Sequence, residues 1–362
     1  MNGAPHIWVP NPRYLGTNAA MLERWLGAPK VEELSRLHRN WYGPPIALGG
    51  VPGAVYVTGK DPKADSSVGG DFIGAIRGGA GFTSLSDLIA ERTAGKGRRF
   101  EFFKNGPTGV VNVASSLIQL GAVPPAAANA AAAPGGIANV DSDTGFPLFT
   151  NPTGGDTQHL TTGYSLASVL GQSLLLFDCL FRVNKTMNST ATEAVTGVPT
   201  RYQSGTDTAA DYIGGNFLFV QVGLTALAAT AHNWTVCLYQ DQASASSTLP
   251  SLTGNSAAIV HRLDHPVGQW FAPLETGDRG IKLLTQMQCS ALVATGVINF
   301  VIGHPIAWFP NGLANSVFVH DGINSAFNLE RIFDDAALAL MTAPAAATTA
   351  TNHQVSLITV AG

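Results

Sequence analysis

Charge is scarce in this sequence. Of the 362 residues, only 12% are Asp, Glu, Lys or Arg, whereas an average soluble protein has roughly a quarter. An isolated soluble chain normally needs more surface charge to stay dispersed. Two interpretations follow: the chain buries uncharged surface against copies of itself, or it is a secreted protein with an exterior rich in Ser, Thr, Asn and Gly. We favour the first.

Basic residues are not in excess either. The formal net charge is −4 and the sequence pI is near 6.1. A dedicated nucleic-acid-binding protein usually carries a basic stripe and a high pI. The balance argues against that class, although it leaves room for a local basic patch.

Cysteine is rare and unpatterned. Cys179, Cys237 and Cys289 lie far apart, with no C-x-x-C spacing. An odd, unpatterned set argues against a disulfide framework and against a zinc site. Each cysteine has apolar neighbours, which predicts buried thiols, and free thiols suit assembly in a reducing cytoplasm.

Long apolar runs are missing. The first 16 residues show no basic segment followed by an apolar one, so we expect no signal peptide. The longest apolar stretch, SLLLFDCLF, is interrupted by Asp178 and is far too short to span a bilayer. We therefore expect neither export nor a membrane segment.

Catalytic motifs are also missing. The stretch around Ser165 lacks the second glycine of a G-x-S-x-G elbow, and Gly95-Lys96-Gly97 is too short for a phosphate loop. We predict no enzyme, no cofactor, and no catalytic, cofactor-binding or metal-binding residues. Glycosidases need only two carboxylates brought together by the fold, so the sequence does not exclude glycoside hydrolysis.

Two histidine-containing segments are candidate metal or catalytic sites. His261, Asp264 and His265 offer potential metal ligands, but Pro266 and the strand-rich surroundings favour a polar turn. The segment from His320 to Asn324 places a base beside an acid, but its Asp-Gly pair is typical of a turn.

Composition divides the chain into five regions. We predict an extended N-terminal arm over 1–16, a helical and loop region over 17–120, an Ala/Pro/Gly-rich linker or loop over 121–160, a β-rich core over 161–341, and a tail over 342–362 ending in a potential added strand. For that strand, pairing within its own subunit is favoured over donation to a neighbour.

Alternation of apolar and polar residues predicts strands throughout the core. Residues 281–302 read as two strands joined at Thr295-Gly296, which predicts an antiparallel hairpin. Residues 17–42 and 323–341 have helical spacing, and 82–104 begins with a short capped helix. The predicted fold is mainly β (α+β): an antiparallel β-sandwich or jelly-roll-like module with N-terminal helices and an arm, the alternative being a mixed α+β major capsid fold.

One segment combines basic and aromatic residues. Between 92 and 104, one basic cluster is interleaved with phenylalanines: Arg92, Lys96, Arg98, Arg99 and Lys104 with Phe100, Phe102 and Phe103. The segment is open to two interpretations: salt-sensitive contact with phosphates, or a β-hairpin packing on a neighbouring subunit. We favour the second, and the candidate interface residues are Trp8, Tyr14, Arg98, Arg99, Phe100, Phe102 and Phe103.

The second half resembles virion structural proteins of tailed bacteriophages. In those proteins a strand ending in a Tyr-x-x-(Gln/Asn) turn precedes a GD-x-G-(V/I) segment and a strand pair. The resemblance covers roughly 160–340, and the matching residues are Tyr239, Gln242, Gly277, Asp278, Gly280 and Ile281. It implies a structural role in the particle and carries over no catalytic residue.

These observations predict a capsid or capsid-associated protein. Its expected partners are copies of itself and other virion proteins around double-stranded DNA, with non-specific contact to the packaged DNA left open and no membrane. It would be found in the virion after assembly in the host cytoplasm. The alternative is a tail or spike module that binds or cleaves host-surface glycan, for which Trp270 and Phe271 near Asp264 are the candidate residues.

Overall fold

Antiparallel strands build the described part of the chain. The computed structural model describes residues 82, 85–202, 215–254, 259–265, 269–323 and 329–362. The described residues are mainly antiparallel β, with 45% strand and 5% helix in three sheets, so the β-rich prediction is confirmed. The predicted arm over 1–16 and the helices over 17–42 lie outside the described residues.

A short helix precedes the strands, as predicted. Helix α1 (Leu85–Glu91) continues into a π-helical turn (Arg92–Lys96). The strands are β1 (Gly97–Asn105), β2 (Ser115–Ser116), β3 (Ala122–Val123), β4 (Ile137–Ala138), β5 (Gln158–Ala167), β6 (Gln172–Thr186), β7 (Glu193–Ala194), β8 (Phe217–Val222), β9 (Asn233–Asp241), β10 (Ser246–Thr248), β11 (Leu252–Thr253), β12 (Ile281–Cys289), β13 (Val297–Asn311), β14 (Phe318–Asp321), β15 (Arg331–Ile332), β16 (Leu338–Pro344) and β17 (Asn352–Ala361).

These strands form a central sheet and two outer sheets. The central sheet has the order β2-β16-β6-β13-β8, with β4 beside β6. Outer sheet 1 has the order β14-β5-β17-β1-β3, with β15 beside β5. Outer sheet 2 has the order β10-β9-β12-β7, with β11 beside β9.

One face of the central sheet carries both outer sheets. Strands β6 and β13 are 15 residues each, or roughly 50 Å at the usual rise per residue. Toward one end, Leu176 and Phe309 share an apolar core with Leu357 of outer sheet 1. Toward the other end, Phe300 shares a core with Trp234 and Met287 of outer sheet 2. The packing is therefore that of a sandwich with a divided second layer.

Loops cover the opposite face. Phe177 and Phe219 of the central sheet share a core with Ala127 and Phe146, which belong to the predicted linker or loop. Asn129 of the same segment accepts a hydrogen bond from Gln119 at 2.8 Å. Apart from β3 and β4 the segment over 121–157 is loop, and it packs on the sheet.

The predicted hairpin over 281–302 is wrong. Both strands exist, but β12 pairs with β9 and β7, whereas β13 pairs with β6 and β8. The connection between them crosses from outer sheet 2 to the central sheet, and Gly296 in it has a φ of 122°. Alternation identifies a strand and its buried face but not its partner, and the long β6 gives β13 a partner along its whole length.

The predicted helix over 323–341 is also wrong within its described part, 329–341. This part forms β15 and the beginning of β16. Residues 336–341 are all buried, as in a central strand covered on both faces. Pairing of β16 with β6 outweighs the helical spacing, since tertiary context overrides propensity.

The C-terminal strand pairs inside its own chain, as favoured. Strand β17 lies between β1 and β5 and pairs with each along its length. The same pairing shows that the hairpin predicted for the basic segment is wrong: β1 lies between β17 and the two-residue β3.

The three cysteines are free and buried, as predicted. Burial raises the pKa of the Cys179 and Cys237 thiols to about 12. These thiols therefore act as apolar core groups, because a nucleophilic or metal-binding cysteine needs an accessible thiolate.

Removal of a side chain from the junction of sheets tests this packing. Leu357 is 0% exposed in the core between outer sheet 1 and the central sheet. We expect Leu357→Ala to lower the free energy of unfolding by about 2–5 kcal/mol, because the cavity is only partly refilled. Gln354→Ala, on the exposed face of the same strand, is the control. Equal urea midpoints for both variants would contradict the packing.

Candidate interface and ligand groove

Outer sheet 1 has one buried face and one outward face. Successive residues of a strand point to opposite faces, so Phe100 and Phe102 of β1 point inward while Phe103 points outward. On β5 and β17 the same alternation exposes Tyr164 and Gln354.

Apolar side chains are frequent on the outward face. We define the sheet-1 face as the outward residues of β1, β3, β5, β14 and β17 together with Val317. Its exposed large hydrophobic residues are Val123, Tyr164, Val317 and Val319, between 39% and 56% exposed. A groove of about 330 Å³ runs across the face, and its lining adds Phe103 and Leu166.

An ion pair lies on the β1 part of this face. Arg99 pairs with the Glu101 carboxylate and donates to Ser356 Oγ at 3.1 Å. Ser356 Oγ donates to Glu101 Oε1 at 3.0 Å. The pair places one charge of each sign side by side among the apolar groups of the face.

The predicted interface residues divide between the two faces. Phe100 and Phe102 are 4% and 2% exposed in the chain's own core, so predicting them as interface residues was wrong. Arg98 and Arg99 are exposed and Phe103 is half-buried on the outward face. Trp8 and Tyr14 lie outside the described residues.

The basic cluster is partly neutralised. Lys96 Nζ lies 2.7 Å from both Glu91 and Asp156. Lys104 is buried and donates to the carbonyls of Leu120 and Pro124 at 2.9 and 2.6 Å, and burial lowers its pKa to about 8. The segment therefore presents fewer free positive charges than its sequence indicates.

A second surface is an open groove of about 540 Å³ beside the edge strand β8. Phe217, Trp270 and Phe271 contribute aromatic rings to it, and Glu275 and Asp278 contribute carboxylates. The Phe217 and Phe271 ring centroids lie 5.3 Å apart. Asp264, the carboxylate expected beside Trp270, is 0% exposed and cannot reach a ligand. Glu275 and Asp278 were missed as groove residues because only the fold places them beside Phe217.

The segments over 239–242 and 277–281 meet beside this groove. Tyr239 Oη donates to Asp278 Oδ2 at 2.5 Å and accepts from the Glu275 N–H at 3.0 Å. Gln242 Oε1 accepts from the Arg279 N–H at 2.9 Å. The two halves of the motif thus fasten the 275–279 loop to β9. We call these three hydrogen bonds the Tyr239 clasp.

The histidine clusters do not form the sites considered from the sequence. Among the described residues, no group of three or more His, Cys, Asp or Glu is placed to hold a metal. Asp264 Oδ2 lies 2.8 Å from His232 Nε2 and accepts from Trp234 Nε1 at 3.0 Å. His320 and Asp321 are successive residues of β14, so their side chains leave opposite faces.

A buried ion pair was also missed. Asp178 on β6 accepts two hydrogen bonds from Arg201, at 2.7 and 2.9 Å, and a third from the Ala337 N–H at 2.9 Å. Its position inside an apolar strand was a signal, because a buried carboxylate requires a partner. The identity of that partner was not readable from the sequence.

No protein-family model, curated protein or solved structure matches the chain. Among the described residues, none of the helices has the length and apolar character needed to cross a membrane.

Loss of the Tyr239 hydroxyl tests the clasp. We expect Tyr239→Phe to lower the free energy of unfolding by about 1–3 kcal/mol, because a buried donor–acceptor pair loses its partner. Thermal unfolding monitored by circular dichroism measures the change. The control is Thr235→Val, at an exposed position of the same strand; a loss no larger than that of the control would contradict the clasp.

Buried histidines predict destabilisation in acid. Burial lowers the pKa of His159, His320 and His353 to about 4 from 6.5. Between these values the unfolded chain binds protons that the folded chain excludes, so the free energy of unfolding falls as pH drops from about 6.5 to 4. His232 acts in the opposite sense: burial lowers its pKa, but the bond to Asp264 outweighs burial and raises it.

The measurement is the urea midpoint at pH 7 and at pH 5. Both ring nitrogens of His353 are buried and make no hydrogen bond with described residues. We therefore expect His353→Leu to reduce the loss of stability at pH 5. Gln354→His, which adds an exposed histidine, should leave the loss unchanged. An unaltered pH dependence in His353→Leu would contradict the assignment.

Proposed function

We propose that the chain is a structural protein of a bacteriophage virion, of the capsid-associated, cementing kind. It binds to copies of itself and to neighbouring virion proteins around double-stranded DNA. The observation that carries the proposal is the sheet-1 face, an exposed sheet surface with apolar side chains on neighbouring strands.

The residues of the face support a protein partner. Tyr164 of β5 pairs with Val319 of β14. Leu166 of β5 pairs with Gln354 of β17. Contiguous exposed apolar patches on soluble proteins commonly mark interaction sites. The low charge of the whole chain, 12%, agrees with a subunit that covers part of its surface in an assembly.

The charges of the face favour a second copy as the partner. Arg99 and Glu101 lie two residues apart on one strand. Across a two-fold axis the same patch meets itself, so an axis that passes between Arg99 and Glu101 sets the Arg99 of each copy against the Glu101 of the other. Sheets pack face to face about 10 Å apart, which brings these side chains within reach of each other.

A cementing role is favoured over a major shell role. The major shell role is supported by helical spacing over 17–42 and 323–341 and by the basic hairpin candidate over 92–104. The first of these lies outside the described residues. The described part of the second, 329–341, is strand, and the third contains the strand β1 of outer sheet 1. The sandwich packing on the central sheet supports the cementing version. In this role the protein needs no catalysis and no cofactor, and it would be found in the virion after assembly in the host cytoplasm.

A charge placed on the sheet-1 face tests the proposal. Light scattering of the full chain over a range of concentrations should show masses above that of the monomer. We expect Tyr164→Glu to weaken self-association at least tenfold, because association would bury an unpaired carboxylate. The matched control is Leu292→Glu, 58% exposed in the connection between β12 and β13.

Three outcomes are informative. A dimeric or concentration-dependent wild type that Tyr164→Glu dissociates supports the proposal. A wild type that stays monomeric at every concentration contradicts it. Equal effects of Tyr164→Glu and Leu292→Glu would show that the sheet-1 face is not the contact.

A further inference from the structure

The aromatic groove beside β8 has no role in the assembly proposed above. None of its lining residues belongs to the sheet-1 face. Its volume of about 540 Å³ lies in the range of ligand sites, which combine apolar walls with a few placed polar groups. Its chemistry identifies the class of ligand that it accepts.

The apolar part of the groove consists of rings held in place from behind. Phe271 packs against Phe217, with centroids 5.3 Å apart, and against the buried Phe219 at 6.1 Å. Trp270 packs on the same core and remains half-exposed. Such rings offer flat apolar surfaces that cover the C–H face of a ring-shaped ligand.

The polar part consists of fixed hydrogen-bond acceptors and one amide. Glu275 Oε2 accepts from the Thr248 N–H at 3.1 Å, and Asp278 Oδ2 accepts from Tyr239 Oη at 2.5 Å. These bonds orient both carboxylates. In each, the second oxygen accepts no hydrogen bond from the described residues. Gln269 adds an exposed amide to the lining.

The charges of the groove's described residues disfavour an anionic ligand. Its described lining residues include two carboxylates and neither Lys nor Arg. A phosphate or an acidic sugar would meet like charge without compensation. Hydroxyl groups, in contrast, donate well to carboxylates and form charge-assisted bonds with them.

We infer that the groove of Phe217, Trp270, Phe271, Glu275 and Asp278 binds a neutral carbohydrate. A sugar ring stacks on Trp270, and its hydroxyls donate to Glu275 Oε1 and Asp278 Oδ1. The Tyr239 clasp fixes the Asp278 carboxylate and the Glu275 backbone, and the Thr248 N–H orients the Glu275 carboxylate. The open form of the groove suits a chain of sugar residues lying across it, whereas an organic cation is better held in a closed aromatic cage.

The test uses the full chain on an array of neutral and acidic oligosaccharides. The strongest neutral ligand is then titrated by calorimetry against the wild type and three variants. We expect Trp270→Ala to weaken binding at least tenfold and Glu275→Gln several-fold. Trp308→Ala, which removes a 50% exposed tryptophan outside the groove, should bind as the wild type does. Circular dichroism verifies that each variant is folded. If Trp270→Ala does not fold, Glu275→Gln still decides the test.

Several outcomes would overturn the inference. These are no neutral oligosaccharide bound on the array, a preference for acidic glycans, or equal binding by the wild type, Trp270→Ala and Glu275→Gln. Choline and a lysine-rich peptide are titrated as well, and binding of these cations without any sugar would assign the groove to a cation. None of these results bears on self-association, so the assembly proposal is tested separately.

Discussion

The pairing of β6 with β13 is the interaction on which the rest of the fold depends. The two strands are paired from Gln172 to Thr186 and from Asn311 to Val297, with two irregularities in register. Neither outer sheet extends over the whole of such long strands, so each covers one part of the same face. Loops from the region around 114–146 cover the opposite face of the central sheet.

The buried polar groups follow from this arrangement. Asp178 lies in the middle of β6, where it has no access to water, and Arg201 and the Ala337 N–H satisfy it. Replacement of one partner alone leaves a buried charge, which is strongly destabilising. His232 and Asp264 form a comparable buried pair beside Trp234, in the core between the central sheet and outer sheet 2. These groups are structural, because they are enclosed and satisfied rather than directed at a pocket.

The two candidate functional surfaces are of different kinds. The sheet-1 face is broad, has apolar side chains on neighbouring strands and includes the Arg99–Glu101 pair, which suits contact with a second protein surface. The groove beside β8 is small and lined by rings and carboxylates, which suits a hydroxyl-rich ligand. A virion protein that combines the two would hold to the particle through one and present the other. The Tyr239 clasp shapes the groove and fastens β9 to the loop before β12.

Local pattern in the sequence determined the strands, the buried cysteines and the terminal strand β17, because alternation and apolar neighbours report burial directly. Tertiary structure alone decided the partners. In the tertiary structure β12 and β13 lie in different sheets, and residues 329–341 form strands although their spacing is helical. Phe100 and Phe102 pack in the chain's own core. The tertiary structure also joins Tyr239 to Asp278 and places Glu275 beside Phe217. The physical reason is the same in each case. The spacing of apolar residues along a segment identifies which of its faces is buried. The segment that packs on that face is selected by how much apolar surface the whole fold buries, which is not a local property of the sequence.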